Sequence, residues 1–146
     1  MKKKIFGRQL SRERDTRRAL FRALIRALVE HGKIVTTKAK AKAIQGRIDK
    51  LVNLAKGGSI STNRRLFALL GNDKVTAKVI LEKVVPSLSD RKSGYTRIVN
   101  LPRRKGDAAE IVRLEWVKEV LEPAKKEPKT KKKETVKKKT KETKKK

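Results

Sequence analysis

The chain has 146 residues, of which 43 are lysine or arginine and 15 are aspartate or glutamate, so its formal charge at pH 7 is +28. This imbalance predicts binding to a phosphate-rich polymer, and it exceeds what solubility alone requires. The absence of cysteine excludes disulfides and thiolate metal sites, and no apolar run approaches the roughly 18 residues of a membrane span.

Helical periodicity begins after a basic N-terminal arm, residues 1–10. Leucines recur every four residues from Leu20 to Leu28, which predicts an amphipathic helix beginning near Ser11. Gly32 is expected to end this helix in a left-handed conformation, directly after a histidine at the negative end of the helix dipole. No apolar segment follows the first lysines, so we expect neither a signal peptide nor an organellar transit segment.

A short strand and a second helix are predicted next. The β-branched run from Ile34 to Thr36 predicts an edge strand. Thr37 is expected to cap the following helix with its side chain, and the glycines at positions 57 and 58 are expected to end that helix.

Two further helices are expected over residues 62–70 and 74–85. Gly71 is expected to end the first of them, and Asp73 is a typical capping residue for the second. Pro86 is expected to end the second, because proline lacks the N–H group that a helix interior needs.

The pattern changes to strand after Gly94. Residues 95–101 and 110–117 are rich in β-branched and aromatic side chains, and the basic, glycine-containing segment 102–107 lies between them. This indicates a β-hairpin. The predicted fold class is therefore α+β, with helices packed on one face of a small sheet in the order helix, strand, three helices, hairpin.

The last residues, Pro123 to Lys146, hold thirteen lysines, three glutamates and only two aliphatic side chains. Such a segment cannot bury enough apolar surface to offset its ordering entropy, so we expect a disordered tail. The tail carries +10 of the total +28, which leaves +18 for residues 1–122. We therefore expect polyanion binding to be a property of a compact domain, residues 11–122, and not only of the arm and tail.

No group of residues indicates catalysis. The single histidine, His31, has no neighbouring group that would orient it as a base, and no acidic cluster has metal-ligand spacing. Neither GxGxxG nor GxxxxGK[ST] occurs, so no nucleotide-binding loop is indicated. We expect no enzymatic activity, no cofactor and no metal.

Basic residues cluster at element starts and in loops, as in Arg64-Arg65 and Arg103-Arg104-Lys105. An arginine side chain can hold a phosphate through two parallel hydrogen bonds, and adjacent cations on a short loop repel unless an anion is present. The alternative is a solvated helix face, which applies above all to the arginines at 18, 22 and 26. Tyr95, beside Arg97, could stack on an unpaired base or pack in the sheet, whereas Trp116 alternates with core residues and is expected to be buried.

A series of short motifs runs in a fixed order along residues 1–117. The motifs are Gly7-Arg8-Gln9-Leu10, His31-Gly32-Lys33-Ile34-Val35-Thr36-Thr37, Asn63-Arg64-Arg65, Gly94-Tyr95-Thr96-Arg97-Ile98 and Gly106-Asp107-Ala108-Ala109-Glu110. In this order and spacing they resemble the bacterial large-subunit ribosomal protein seventeen family. The chain departs from that family at Arg91-Lys92-Ser93, where a glycine pair is usual before the tyrosine, and in its lysine tail.

The resemblance implies a structural protein of the large subunit in cytoplasmic ribosomes, with a two-layer α/β fold, lying near the nascent-chain exit side. It implies large-subunit rRNA and neighbouring ribosomal proteins as partners, a monomer within the ribosome, and no membrane, small-molecule substrate, cofactor or enzymatic activity. Carried over residue by residue, the implied rRNA contacts are Lys2, Lys3, Lys4, Arg8, Arg17, Arg18, Lys38, Lys40, Arg64, Arg65, Tyr95, Arg97, Arg103, Arg104 and Lys105.

Two other functions fit parts of the pattern. A DNA-architectural protein would also suit a lysine-rich tail, but it predicts a dimer or arginines gathered on one groove-reading helix. An RNA-modifying enzyme would need a cofactor loop or an acid–base pair, and the sequence indicates neither.

Removal of the tail should leave the chain able to assemble, because most of the positive charge lies outside the tail. A chain ending at Glu122 loses the +10 of the tail and keeps the +18 of residues 1–122, so it should still enter large ribosomal subunits. Sedimentation of subunits assembled with the truncated and the full-length chain measures this. Truncated chain left at the top of the gradient, with full-length chain in the subunit peak, would contradict it.

Overall fold

The computed structural model describes residues 7–118 and residue 120. The predictions for residues 1–6 and for the tail, residues 123–146, lie outside the described residues. Within the described part, helices pack on one face of a three-stranded antiparallel sheet, which confirms the predicted α+β class.

Seven elements follow one another along the described chain. They are α1 (Arg14–His31), β1 (Lys33–Thr37), α2 (Lys38–Lys56), α3 (Ile60–Leu70), α4 (Lys74–Val79, continued by a π-helical segment Ile80–Val84 and a last turn Val85–Ser87), β2 (Thr96–Asn100) and β3 (Ile111–Trp116). None of the helices in residues 7–118 is long and apolar enough to cross a membrane.

The strand that comes last in the chain lies in the middle of the sheet. β3 pairs antiparallel with β2, as the predicted hairpin requires, and antiparallel with β1 on its other side. At the hairpin, the N–H of Leu101 donates to the carbonyl of Ile111 (3.0 Å). β1 is an edge strand, as predicted, and its pairing with β3 joins residues far apart in sequence, such as Lys33 and Glu115, which are 82 positions apart.

Alternation along β3 places its apolar side chains in the core. Val112 and Leu114 are fully buried, and Trp116 is buried as predicted. The indole Nε1 of Trp116 donates to the carbonyl of Leu28 in α1 (3.3 Å), which satisfies its one polar group. Burial of each such side chain contributes about 1.5–3 kcal/mol, so the apolar face of β3 is a main part of the core between sheet and helices.

Thr37 precedes α2, but its side chain makes no capping hydrogen bond, so this prediction was wrong. Instead, the N–H of Lys38 donates to the carbonyl of Glu110 beside β3 (3.0 Å). The neighbouring strand thus satisfies a backbone donor of the first turn of α2. α3 begins two residues earlier than predicted, because Ser59 accepts a capping hydrogen bond from the N–H of Thr62 (3.3 Å).

Asp73 caps α4, as predicted, and also holds α1. Its carboxylate accepts from the N–H of Thr76 (3.2 Å) and from its hydroxyl (2.7 Å), and Nε of Arg26 lies 2.8 Å away. The hydrogen bond from the Thr76 hydroxyl is the main cause that lowers the pKa of Asp73. Asp73 therefore ties the start of α4 to the arginine-bearing face of α1.

Pro86 does not end the fourth helix, contrary to the sequence prediction. The helix widens into a π-helical segment over Ile80–Val84, where the N–H of Val85 donates to the carbonyl of Ile80, and it continues through Ser87. Proline has no N–H and its ring clashes with the carbonyl four residues earlier in a regular α-helix. The wider turn shifts the hydrogen-bond register just before Pro86, which lets the chain keep its helical path.

The last turn of α3 is held from outside by α1. Arg22 donates from Nε to the carbonyl of Leu69 (3.1 Å) and from Nη2 to the carbonyl of Ala68 (3.3 Å), at the negative end of the α3 dipole. Gly71 then ends α3 with φ of 73°. A Cβ added at Gly71 would lie 2.9 Å from the guanidinium of Arg22, so the left-handed backbone angle favours glycine here and a side chain would displace the end of Arg22.

Substitution of two glycines should therefore have opposite effects. Gly71→Ala should destabilise the fold by about 1–2 kcal/mol, because alanine pays a left-handed backbone penalty there and displaces Arg22. Gly46→Ala, in α2 with no atom within 4 Å of the added Cβ, should stabilise it by about 0.5–1 kcal/mol. Urea unfolding of both variants measures this. Equal effects of the two substitutions would contradict the role given to Gly71.

Candidate nucleic-acid interface

Two of the predicted RNA contacts, Arg8 and Lys38, lie together at the start of α2, and a third, Arg103, lies near them. Arg8, Lys38 and Lys42 line a cavity of about 390 Å³, together with Thr37, Ala39, Ala109 and Glu110. Arg103 lies close enough for its charge to act on Glu110. We call Arg8, Lys38, Lys42 and Arg103 the α2-start surface.

One carboxylate lies within the α2-start surface. Nζ of Lys38 is 2.9 Å from Oε2 of Glu110, and this hydrogen bond is the main cause that lowers the pKa of Glu110. The charges of Arg103 and Lys42 lower it further, so Glu110 remains ionised at neutral pH. Four cations thus surround one carboxylate, and the surface keeps a positive excess that suits an anion such as a phosphate.

The hairpin tip carries three consecutive basic residues, 103–105, and the middle one, Arg104, is paired with an acidic residue of the tip. Nε of Arg104 donates to Oδ1 of Asp107 (3.0 Å), and its Nη2 donates to Oδ2 of the same carboxylate. This pair lowers the pKa of Asp107 to about 2. Among the described residues, neither Arg103 nor Lys105 forms an ion pair, so these two remain the cations that the tip presents outward.

A second group of cations surrounds a groove between three helices. The groove has a volume of about 840 Å³. Its rim consists of Arg18 and Arg22 from α1, Arg47 and Lys50 from α2, and Arg65 from α3. Its floor is apolar and consists of Phe21, Ile25, Leu51, Leu54, Ala68 and Leu69. We call it the α1–α2–α3 groove, and two of the predicted RNA contacts, Arg18 and Arg65, lie on its rim.

Arg47 of the groove rim contacts an aromatic ring of the floor. Its guanidinium lies 4.4 Å from the centre of the Phe21 ring, in a cation–π contact. Burial is the main cause that lowers the pKa of Arg47, and the charges of Arg17 and Arg18 lower it further. Arg17, a predicted contact, itself donates from Nη1 to the carbonyl of Arg12 (3.0 Å). Positive charge is therefore concentrated along this side of α1.

Arg97 lies on the sheet face that the helices do not cover. Its Nε donates to Oε1 of Glu115 (2.5 Å), and Nε of Arg113 lies 2.8 Å from Oε2 of the same carboxylate. Glu115 is buried beneath the two guanidinium groups, and the hydrogen bond from Arg97 is the main cause that lowers its pKa. The Nε of Arg97 is therefore occupied by a hydrogen bond that links β2 to β3, although the side chain remains largely exposed.

The expectation that Tyr95 contacts RNA is corrected by its burial. Its side chain is fully buried, and Nζ of Lys56 lies 4.7 Å from the centre of the ring. The hydroxyl donates to the carbonyl of Arg91 (3.0 Å) and lies beside Oδ1 of Asn53. The sequence left two alternatives open for Tyr95, stacking on a base or packing in the protein. The structure shows packing, and the buried ring is not accessible to a base.

The remaining predicted contacts are distributed over the helices. Lys40 is half-buried in the first turn of α2, Arg64 is exposed on α3, and Lys2 to Lys4 lie outside the described residues. Sequence reasoning missed Lys42, Arg47 and Lys50. A usable signal existed for Lys42, which follows Lys38 by four residues and so shares its helix face.

Comparison with known proteins identifies the family of this chain. The sequence profile of the family described as "Ribosomal protein L17" matches residues 20–117. The chain belongs to the ribosomal protein L17 family. It is 42% identical over 111 residues to the large ribosomal subunit protein bL17 of Rubrobacter xylanophilus, covering 76% of this chain and 91% of that protein. It is 46% identical over 110 residues to bL17 of Wolinella succinogenes, covering 75% of this chain and 94% of that protein.

Membership of the ribosomal protein L17 family bears out the resemblance found in the sequence. The family is one of structural ribosomal proteins, so the RNA-modifying enzyme is excluded as a reading of this chain. The matched segment includes every described element from α1 to β3, except the first residues of α1. The lysine tail lies beyond it.

The tip ion pair can be tested by titration. Arg104→Gln should raise the pKa of Asp107 from about 2 toward its ordinary value near 3.9, because the main hydrogen bond to the carboxylate is lost. NMR titration of the side-chain carboxyl carbon measures this, with Arg103→Gln as the control that leaves Asp107 low. An Asp107 that titrates near 4 in the unaltered chain would refute the pair.

Proposed function

We propose that this chain is a structural protein of the large ribosomal subunit that binds large-subunit rRNA. Its relatives are named as large ribosomal subunit proteins, and it belongs to their family. The observation that carries the RNA-binding proposal is the α2-start surface. There, cations from the arm and from α2 line one cavity, although they are far apart in sequence. The charge of Arg103 in the hairpin acts on Glu110 in the wall of the same cavity.

The proposed mechanism is neutralisation of phosphates where RNA segments converge. Arg8 and Arg103 offer planar donor forks that can hold a phosphate through two hydrogen bonds, whereas Lys38 and Lys42 act as point charges. The arm and the hairpin tip are inserted between RNA helices in this proposal, and the helical body serves as a rigid spacer. The arm contacts include Lys2, Lys3 and Lys4, and the tip contacts include Lys105.

The other predicted cations take part to different degrees. Lys40 and Arg64 extend the contacts along α2 and α3. Arg97 is paired with Glu115, and Arg104 is paired with Asp107. We propose that these two arginines contribute mainly to the positive field that attracts RNA. The same holds for the cations near the groove, Arg17, Arg18 and Arg65. We further propose that the chain is a monomer in the cytoplasmic ribosome, beside other ribosomal proteins and near the nascent-chain exit side.

The α2-start surface predicts a specific change in salt dependence. Arg8→Ala combined with Lys42→Ala removes two phosphate contacts, so the slope of log affinity against log salt should fall by about 1.4–1.8. Filter binding of large-subunit rRNA to the full chain over a range of KCl concentrations measures this. Lys78→Ala combined with Lys83→Ala removes the same charge from exposed positions of α4 and should leave the slope nearly unchanged.

Two results would contradict the proposal. Equal loss of slope in the two double variants would show that only net charge matters, and not the surface. Equal affinity of the unaltered chain for rRNA and duplex DNA at matched salt would favour the DNA-architectural protein instead.

A further inference from the structure

The α1–α2–α3 groove has a chemistry that phosphate binding does not explain. Its floor is almost entirely aliphatic, and Leu69 projects into it with 55% of its surface exposed. Exposed apolar surface gains nothing from a phosphate, and a groove of this kind is typical of sites for apolar side chains. A partner that fills it must combine apolar groups for the floor with negative charge for the rim.

The dimensions of the groove match a helix. Its α1 wall runs from Arg18 to Ile25 and its α2 wall runs from Arg47 to Leu54, which is eight residues in each case. At a rise of about 1.5 Å per residue, each wall is roughly 10 Å long, or two helical turns. An amphipathic helix presents apolar side chains at i, i+3, i+4 and i+7 over that distance, and it buries them between two or three host helices.

The charge of the groove selects an acidic partner. All five ionisable side chains that line it are cations, and the charges of Arg17 and Arg18 already act on Arg47 within it. The chain's own residues outside the described range do not fit, because the tail has thirteen lysines against three glutamates and the arm opens with three lysines. A second copy of the chain is opposed by its net charge of +28.

A nucleic acid fits the floor less well than a protein does. Unpaired bases stack on exposed aromatic or guanidinium planes. The one aromatic ring of the groove, Phe21, is buried and covered by the guanidinium of Arg47. The other floor residues are branched aliphatics and one alanine, whose surfaces complement leucine or isoleucine side chains better than flat bases.

We propose that the α1–α2–α3 groove binds an acidic amphipathic helix of another protein. The apolar side chains of that helix pack on the floor at Leu54 and Leu69, and its carboxylates pair with the rim cations, above all Arg18, Lys50 and Arg65. Arg22 binds carbonyl groups of α3, and Arg47 packs on the Phe21 ring, so these two side chains stabilise the walls of the groove. This surface is separate from the α2-start surface, so helix and RNA can be bound together.

The test uses a fluorescein-labelled synthetic peptide of about 15 residues, with leucine at i, i+3, i+4 and i+7 and glutamate on the flanking positions. A scrambled peptide of the same composition has the same charge but no apolar face. Fluorescence anisotropy with the full chain in about 0.3 M KCl suppresses contacts that depend on charge alone. We expect the amphipathic peptide to bind at least about tenfold more tightly than the scrambled one.

Two pairs of variants locate the site. Leu69→Gln and Arg65→Glu should each weaken binding of the amphipathic peptide about tenfold, because each removes one half of the complementarity. Their controls are Val75→Gln, at a site with 75% of its surface exposed, and Lys83→Glu, both outside the groove. The controls should change the affinity less than about twofold, and Leu69→Gln should leave rRNA binding unchanged.

Three outcomes would overturn the inference. Equal binding of the scrambled and the amphipathic peptide would show attraction by net charge alone. Equal weakening by Lys83→Glu and Arg65→Glu would show the same. If a uridine decamer displaces the peptide and Leu69→Gln weakens the decamer too, the occupant is RNA. None of these results bears on the α2-start surface, whose salt-slope measurement stands by itself.

Discussion

Repulsion among the cations is the constraint on which the rest of the structure depends. Residues 1–122 keep 30 of the 43 basic side chains and only 12 of the 15 acidic ones. The carboxylates lie where elements meet: Asp73 joins α4 to α1, Glu115 joins β2 to β3, and Glu110 joins the hairpin to α2. Each has a lowered pKa because cations or hydrogen-bond donors hold its charged form. A few carboxylates thus form ion pairs that join neighbouring elements, and most of the remaining cations are exposed at the surface.

The surplus is not spread evenly, and the two places where it gathers differ in chemistry. At the α2-start surface Arg8, Lys38 and Lys42 line a small cavity, and their donor groups suit phosphates. In the α1–α2–α3 groove the cations border an aliphatic floor, which suits a partner with apolar side chains. Both depend on the same core, because α1 carries Phe21 and Ile25 in the groove and Leu28 against Trp116 of β3. The same helix, α1, therefore contributes both to the groove and to the core beneath the sheet.

Local patterns predicted most elements of this fold, and long-range contacts account for what they missed. The leucine repeat of α1, the glycine at 32 and the alternation that buries Trp116 act within a few residues, so the sequence shows them directly. The burial of Tyr95 depends on Asn53 and Lys56 of α2, more than 38 positions away, and the N–H of Lys38 is satisfied by Glu110. Arg47 and Lys50 were missed as site residues for the same reason, because only packing of α2 against α1 and α3 brings them to a shared groove.

The central claim is that RNA is held by the folded domain at the α2-start surface. Ultraviolet cross-linking of the chain to rRNA within assembled large subunits, with the linked residues identified by mass spectrometry, tests it most directly. The account predicts cross-links around Arg8, Lys38, Lys42 and the hairpin tip from 102 to 107, with few at the groove floor. Cross-links concentrated at Leu54 and Leu69, or confined to the lysine tail, would contradict it.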